Sequence, residues 1–410
     1  MIFRVPFAGR LSRIALLPLA LAACASSVSP APSGEAAPDA RSVLDPALVA
    51  RLQAMLDSVH AAGSFPGGVA GFALADGSSF ALAVGQSDTV RDRAMHADDR
   101  LLLGSAGKTY FAALALQLVS DGRLALDEPI ARYLGREPWF DRLPNARNIT
   151  VRMLMNHTSG LVRYELNPRF LADLTASPGR TWTGEARLAY LFDARAPFAA
   201  GQGWDYSDTN YIVLGMILER ITGTPAYDEI RRRFLVPLRL EQTVPSDRHR
   251  INGLAQGYAG PENPFGGADA MLVGDSMVIN PQFEWAGGGW AASAADLARW
   301  ARAWYGGRAF DRALVEQAVQ GVAAPQLGTD VRYGLGVIVR PTPLGTSWGH
   351  SGFMPGYRTE MRYWPDHGLA VTWLTNTTAP RTPGHAPGTF VNELAATVVA
   401  WPHTPAPADR

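Results

Sequence analysis

Apolar residues recur at helical spacing in the segment that begins at Asp45. Asp45 followed by proline is a helix-start signal, because the carboxylate caps free N–H groups and proline suits the first turn. The apolar positions that follow are mostly three or four residues apart: Leu48, Leu52, Met55, Leu56 and Val59. This spacing predicts an amphipathic helix over residues 46–62. Similar patterns predict helices at about 107–121, 149–156, 208–222, 226–234, 294–305 and 387–400.

Short apolar runs near both ends of the chain predict strands instead. The runs at 69–74 and 80–84 are joined by an Ala-Asp-Gly turn, which predicts a β-hairpin. Four more runs near the C-terminal end predict strands at 333–339, 346–350, 357–364 and 369–374. Strands at both ends with helices between them predict an α+β fold. Its antiparallel sheet is formed from both chain ends and flanked by helices.

The same pattern predicts how the chain is divided. A mainly helical subdomain, at about 121–309, is inserted into a sheet subdomain formed by residues 44–120 and 310–402. The junction of two such parts is where small-molecule sites usually lie, so a cleft is expected there. Residues 25–43 are rich in Ala, Ser, Pro and Gly, which predicts a flexible tether over 24–43.

The first 23 residues have the layout of a secretory signal. Arg4, Arg10 and Arg13 precede an apolar run at 14–23 that is too short to span a bilayer as a stable helix. The run ends Leu-Ala-Ala-Cys at Cys24, which resembles a bacterial lipobox, whose cysteine is lipidated after cleavage. We therefore expect a membrane-anchored lipoprotein facing the periplasm. Ordinary cleavage without lipidation, which would give a soluble exported protein, is the alternative.

Composition excludes several classes of protein. With 47% hydrophobic and 18% charged residues, the 410-residue chain is neither disordered nor fibrous. The 37 basic and 37 acidic residues give a formal charge of zero, which argues against a nucleic-acid partner. A single cysteine excludes an internal disulfide framework and any thiolate metal cluster. Loss of the leader would leave a mildly acidic mature chain.

Lysine occurs once, at Lys108, although the chain contains 36 arginines. Ser105 lies three residues earlier, on the same side of a predicted helix start. A lysine in a crowded apolar site can have a lowered pKa and then take the serine proton, which arginine cannot do. Ser-x-x-Lys alone is a weak signal, and an incidental surface lysine is the alternative. The use of lysine at this one position among 37 basic residues favours a chemical role for the Ser105–Lys108 pair.

Two further segments carry candidate chemistry. Tyr206 lies on the loop before a predicted helix, from where it could deliver a proton to a leaving group. His350 lies on a predicted strand between glycines, which let a backbone approach a substrate closely. It could hold a substrate carboxylate or steady Tyr206. A buried structural tyrosine and an ordinary strand end are the alternatives.

Taken together, three motifs resemble those of the penicillin-recognising serine hydrolases: Ser105-x-x-Lys108, Tyr206-x-Asp208 and His350-Ser351-Gly352. Their order and their separations of 101 and 144 residues are similar to the class C β-lactamase branch. That branch includes D-alanyl-D-alanine carboxypeptidases, D-aminopeptidases and β-lactamase-like esterases. Supporting signatures occur at 156–161, 237–243, 255–258, 287–290 and 333–336, so the resemblance covers about residues 45–400. It implies a β-lactamase/transpeptidase-like fold.

The resemblance also implies roles for individual residues. Ser105 would be the acylated nucleophile, and Lys108 with Tyr206 would handle protons. The backbone N–H groups of Ser105 and Phe353 would form the oxyanion hole. The substrate-binding residues would be Asp208, His350, Ser351, Gly352 and Phe353. His157 belongs to a structural turn of the family, and no cofactor or metal is implied; the partner is a small-molecule or short-peptide acyl substrate.

Two positions depart from the family pattern. The second motif usually ends in Asn, whereas Asp208 is a carboxylate that only accepts hydrogen bonds and attracts a proton to Lys108. The third motif usually begins with Lys, whereas His350 need not be charged at neutral pH. Both changes argue against efficient β-lactam hydrolysis, but neither argues against acyl transfer.

Several functions stay open on the sequence alone. An esterase, a β-lactamase and a D-Ala-D-Ala carboxypeptidase or D-aminopeptidase acting on peptidoglycan peptides all fit a Ser105 acyl-enzyme. A lipid-anchored binder that is acylated without turnover is a non-enzymatic alternative. A metallohydrolase is disfavoured, because the eight histidines form neither a His-x-x-x-His nor a His-Glu-x-x-His element.

Overall fold

The computed structural model describes residues 44–63, 65–260, 263, 269–378 and 386–402. Both ends of the described chain contribute strands to one sheet. The strands, in chain order, are β1 (Gly67–Ala73), β2 (Ser79–Asp88), β3 (Arg93–Ala94), β4 (Leu101–Leu102), β5 (Val244–Pro245), β6 (Leu272–Val273), β7 (Ser276–Met277), β8 (Trp290–Ala292), β9 (Val322–Ala323), β10 (Arg332–Tyr333), β11 (Ile338–Thr342), β12 (Gly345–Met354), β13 (Tyr357–Trp364) and β14 (Leu369–Thr375).

Nine of these strands form an antiparallel sheet in the order β3-β2-β1-β14-β13-β12-β11-β10-β9. The N-terminal hairpin therefore pairs with the last strand, with Phe72 opposite Val371 and Phe80. This pairing confirms the predicted α+β class and the sheet built from both chain ends. The smaller groups β4-β8-β5 and β6-β7 lie outside this sheet.

Most of the helices lie between the two strand-forming ends. They are α1 (Pro46–Ala62), α2 (Lys108–Ser120), α3 (Ala131–Leu134), α4 (Val151–Met155), α5 (Pro168–Ala176), α6 (Gly184–Leu188), α7 (Asp208–Thr222), α8 (Ala226–Ile230), α9 (Ala294–Tyr305), α10 (Arg312–Gln320) and α11 (Pro387–Ala400). A short 3-10 turn, Gly104–Gly107, leads directly into α2. Within the described residues, no helix combines the length and the apolar character needed to cross a membrane.

The terminal helices α1 and α11 cover one face of the sheet. The Asp45 carboxylate accepts a hydrogen bond from the Ala47 N–H at 2.8 Å, so α1 begins where the sequence predicts. Its apolar stripe packs with Phe72, Trp373 and Phe390 in one buried cluster. The predicted helices at 46–62 and 387–400 are thus confirmed, and the stripe is buried because it faces the sheet.

The opposite face of the sheet is covered by α9, which also fixes the start of α2. A Cβ atom placed on Gly71 of β1 would lie 2.1 Å from the Ala294 carbonyl oxygen, so only glycine allows this close approach. Further along α9, the indole N–H groups of Trp300 and Trp304 donate to the Thr109 hydroxyl and carbonyl at 2.8 and 3.0 Å. The residue next to Lys108 is therefore anchored to the helix that packs on the sheet.

One predicted strand is wrong. Residues 333–339 do not form a single strand, because the chain turns between β10 and β11 and pairs Tyr333 with Ile338. Gly336 has a φ of 78°, which glycine adopts without strain, and Gly334 lies too close to the Ala318 carbonyl for any side chain. The apolar run predicts one strand, but the glycines at alternate positions in it mark a turn.

The predicted secretory signal, Cys24 and the tether lie outside the described residues. The boundaries of the sheet and helical subdomains stay predictions, although the helices from α3 to α9 do fall within the expected 121–309 region.

Asn376 joins three parts of the fold just after β14, and it is fully buried. Its side chain accepts from the Gly67 N–H at 2.9 Å and donates to the carbonyls of Gln86 and Gln256 at 3.0 and 2.9 Å. We expect Asn376→Ala to lower the free energy of unfolding by about 2–4 kcal/mol, because buried backbone groups lose their partners. Urea unfolding measures this loss. Asn252→Ala, at an exposed asparagine, should change it by less than about 0.5 kcal/mol; equal effects would contradict the bridging role.

Candidate active site

Ser105 and Lys108 lie together at the start of α2. Ser105 is in the 3-10 turn and is partly buried, whereas Lys108 is the first residue of α2 and is fully buried. The Lys108 ammonium nitrogen lies 2.9 Å from Ser105 Oγ and 2.6 Å from Asp208 Oδ1, and it also donates to the Gly287 carbonyl. Three acceptors therefore surround a group that has three N–H donors when it is charged.

The charge of Asp208 determines the protonation of Lys108. Burial, the largest single influence, lowers the pKa of Lys108, but its interactions with Asp208 and Tyr206 outweigh this effect. The net result is a pKa above the usual 10.5. The sequence-based expectation of a lowered pKa is wrong for this arrangement. Without a substrate, Lys108 is an ammonium paired with a carboxylate.

Asp208 is placed by the start of α7, a 15-residue helix on which it is the first residue. The helix N-terminus carries partial positive charge, which stabilises a carboxylate there. A Cβ atom on Gly287 would lie 3.4 Å from the Asp208 Cβ, so the glycine loop packs closely against this side chain. The glycine loop thus positions the Gly287 carbonyl oxygen, and α7 positions Asp208 Oδ1. Both oxygens accept hydrogen bonds from Lys108, as Ser105 Oγ does.

Tyr206 lies beside the lysine, two residues before α7. The centroid of its ring is 5.0 Å from the Lys108 nitrogen and 4.3 Å from the His157 ring. Its hydroxyl is shielded from solvent, and Lys108 and Ser105 are polar side chains that act on it. Burial raises the pKa of Tyr206, and the charge of Lys108 only partly opposes this. The phenol is therefore protonated.

His350 is in the middle of β12, and both of its ring nitrogens are occupied. Nδ1 lies 2.6 Å from the Ser351 carbonyl, and Nε2 lies 2.8 Å from the Tyr333 hydroxyl. Burial, aided by the charge of Lys108, lowers the pKa of His350 to about 3. The ring is therefore neutral, with Nδ1–H as donor and Nε2 as acceptor. Its ring centroid also lies 6.3 Å from that of Tyr206, and the expectation that it holds a substrate carboxylate or steadies Tyr206 stays a prediction.

The two segments that carry the expected oxyanion donors, Ser105 and Phe353, lie side by side because glycines let their backbones touch. A Cβ atom on Gly352 would be 1.8 Å from the Leu103 carbonyl oxygen. One on Gly104 would be 2.6 Å from the backbone nitrogen of Phe353. Strand β12 thus passes directly against the turn that carries Ser105. Ser351 is partly buried on the same strand, and the Phe353 side chain is 45% exposed.

His157 has the structural role that the resemblance implied. It is buried, and its Nδ1 lies 3.0 Å from the Asn210 amide nitrogen and 3.3 Å from the Ser207 backbone nitrogen. Burial lowers its pKa well below 6.5, so this ring is neutral as well. It packs under Tyr206 and ties the 156–161 turn to α7.

Sequence reasoning missed two partners in the site. The Gly287 carbonyl that binds Lys108 belongs to a segment recognised as a family signature, but a backbone acceptor leaves no side-chain signal. Tyr333 also belongs to such a signature, and its contact with His350 depends on the turn that the sequence reading missed.

The chain matches known proteins over most of its length. The family model described as Beta-lactamase matches residues 49–396. The chain belongs to the beta-lactamase family. Penicillin-binding protein 4 of Amycolatopsis lactamdurans is 30% identical over 329 residues, which are 75% of this chain and 81% of that protein. Esterase EstB of Burkholderia gladioli is 35% identical over 196 residues, or 46% of this chain, and the match spans about half (49%) of the esterase.

A solved structure extends the match over most of this beta-lactamase family chain. The D-stereospecific amidohydrolase from Streptomyces sp. has a TM-score of 0.71 and 28% identity, and the match covers 84% of this chain and 97% of that one. The described fold is thus the β-lactamase/transpeptidase fold. With hydrolases among its relatives, this family member is a serine hydrolase.

The hydrogen bond from Tyr333 should contribute to keeping His350 neutral. The Tyr333 hydroxyl can donate a hydrogen bond to Nε2 only while that nitrogen is unprotonated, so the bond stabilises the neutral ring. Tyr333→Phe should therefore raise the pKa of His350 from about 3 by about one pH unit. A pH titration by NMR with 13C-labelled histidine, assigned with His350→Gln, measures this change. Tyr305→Phe is the control, because the buried Tyr305 hydroxyl has no partner among the described residues. An unchanged pKa in Tyr333→Phe would contradict the assigned hydrogen bond.

Proposed function

We propose that this protein is an exported hydrolase that cleaves an ester or amide bond through an acyl-enzyme on Ser105. The observation that carries the proposal is the 2.9 Å contact between Ser105 Oγ and Lys108, a buried residue and the only lysine of the chain. A buried amine next to a serine hydroxyl is the arrangement that activates such a nucleophile.

Acylation begins with a proton shift inside the Lys108–Asp208 pair. As substrate excludes water, the ion pair and the neutral pair become closer in free energy, since charges lose solvation. Lys108 passes a proton to Asp208 across 2.6 Å, and its free amine takes the Ser105 proton as Oγ attacks the carbonyl carbon. The backbone N–H groups of Ser105 and Phe353 hold the resulting oxyanion.

Collapse of the tetrahedral intermediate requires a proton on the leaving group. Tyr206 donates its hydroxyl proton there, and Lys108 returns a proton to the Tyr206 oxygen. The net result is the transfer of one proton from Ser105 to the leaving group by way of Lys108 and Tyr206, so acylation leaves Lys108 and Asp208 as a neutral pair. Water then attacks the acyl-enzyme along the reverse proton route.

The neutral His350 favours an esterase or amidase over a β-lactamase. A β-lactamase that relied on a charged third motif would need a cation at this position, and this ring carries none. The esterase relative supports small ester substrates. The match to a D-stereospecific amidohydrolase supports a second candidate, a D-aminopeptidase or D-Ala-D-Ala carboxypeptidase acting on peptidoglycan peptides.

The proposed location follows from the leader. Cleavage before Cys24 and lipidation of that cysteine would tether the hydrolase at a membrane surface facing the periplasm. A catalytic site on the periplasmic side would meet cell-wall peptides and imported esters alike.

Ser105→Ala tests the proposal and separates an enzyme from a binder that is only acylated. We expect wild-type protein to turn over short-chain aryl esters, and Ser105→Ala to lower kcat by roughly four to six orders of magnitude. Intact mass spectrometry with aryl esters, a fluorophosphonate and a penicillin follows the Ser105 adduct and its decay. Stoichiometric release without turnover would favour the non-enzymatic binder instead.

Asp208→Asn tests the proton shift. In the variant, burial acts on Lys108 without the opposing carboxylate, so the pKa of Lys108 falls. The free enzyme must then lose this proton to solvent, and kcat/KM should fall as pH drops through the lowered pKa. The kcat/KM of the wild type should not show this fall at low pH, because the Lys108 proton moves to Asp208 and not to solvent. Lys108→Arg should be several orders of magnitude less active at every pH, since arginine cannot release its proton. Identical profiles for wild type and Asp208→Asn would contradict the shift.

A further inference from the structure

Arg163 lies at the edge of the site, in the segment that follows the 156–161 turn. The carbon at the centre of its guanidinium is 5.6 Å from the centroid of the Tyr206 ring. The Arg163 side chain is 35% exposed, whereas the side chain of Lys108 is fully buried. A permanent cation thus stands beside the proposed proton donor and is open to solvent.

Only one of the three nitrogens of the Arg163 guanidinium has a hydrogen-bond partner among the described residues. Its Nε donates to Glu165 Oε1 at 2.6 Å, and the Glu165 side chain is 6% exposed. Among the described residues, the two terminal nitrogens of Arg163 make no hydrogen bond. Because Glu165 is buried behind the arginine, the positive group and not the carboxylate faces outward.

The other basic groups beside Tyr206 are already paired or neutral. Lys108 is paired with Asp208, and His350 is neutral and bonded to Tyr333. Of these groups and Arg163, only the arginine offers unused N–H donors to a molecule in the site. A planar guanidinium with free terminal nitrogens matches the geometry of a carboxylate.

We infer that Arg163 forms an anion-binding subsite, which selects ester or amide substrates that carry a carboxylate a few atoms from the reacting carbonyl. This inference rests on the proposed function, because it assigns the substrate class of the same site. The subsite is beside the Tyr206 ring.

Matched substrates test the subsite. On the acyl side, the 4-nitrophenyl monoester of glutaric acid is compared with its neutral amide counterpart, 4-nitrophenyl glutaramate. On the leaving-group side, 3-carboxy-4-nitrophenyl acetate is compared with 4-nitrophenyl acetate. We expect Arg163→Gln to lower kcat/KM for the anionic member of at least one pair by about 10- to 100-fold, the usual value of a charge-assisted hydrogen bond. The neutral members should change by less than about 3-fold, and the affected pair shows on which side the carboxylate binds.

Arg169→Gln is the matched control, because it removes the same charge from an exposed arginine nearby in the sequence, on α5. At fixed ionic strength it should leave all four rates nearly unchanged. Arg163→Lys, which keeps the charge but loses the planar fork, should recover part of the loss.

Two results would overturn the inference. An equal loss on anionic and neutral substrates would mean that Arg163 acts on Tyr206 rather than on the substrate. No change in either pair would mean that the guanidinium binds no substrate anion. Failure of the proposed function is distinguishable, because wild-type protein would then show no Ser105-dependent turnover of any of the four esters.

Discussion

The buried ion pair between Lys108 and Asp208 is the interaction on which the site depends. A lysine with no exposed surface is costly unless its charge is matched, and removing one partner of such a pair typically costs about 3–5 kcal/mol. The partners come from the first residues of α2 and α7, which are 100 residues apart in the chain. Fixing their nitrogen–oxygen distance therefore fixes the two helices relative to each other. The Gly287 carbonyl adds the glycine loop to the same point, so three segments converge on one ammonium group.

Close glycine contacts are the second constraint on the site, because they bring strand β12 of the sheet against the turn that carries Ser105. Gly352 on β12 and Gly104 before Ser105 leave no room for a Cβ atom, which allows the two backbones to touch. Without that contact the nucleophile and the expected oxyanion donor of Phe353 would belong to separate layers. The ion pair thus sets the protonation of the site, and the glycines set the distance between its helical and sheet walls.

Much of this arrangement could be predicted from sequence, because it depends on local patterns. The periodicity of the helix at 46–62 and the three motifs required no long-range information, and their order and spacing identified the family. The protonation of Lys108 could not be predicted in the same way. An apolar neighbourhood lowers a lysine pKa and an adjacent carboxylate raises it, so the outcome depends on a distance that only the folded chain defines. The sequence showed that Asp208 was unusual but not that it lies 2.6 Å from the amine.

The turn that replaces the predicted strand at 333–339 also sets the hydrogen-bond partner of His350. The turn at 334–337 sends β10 back along β11, which places Tyr333 opposite Ile338, and Ile338 is in turn opposite Gly349 on β12. Tyr333 is thereby brought two strands across the sheet to His350, 17 residues ahead, where its hydroxyl meets Nε2. A continuous strand over 333–339 would have carried Tyr333 several residues away from that position, because each residue advances the strand by about 3.3 Å. The glycines that break the strand therefore also determine which hydroxyl bonds Nε2 of His350.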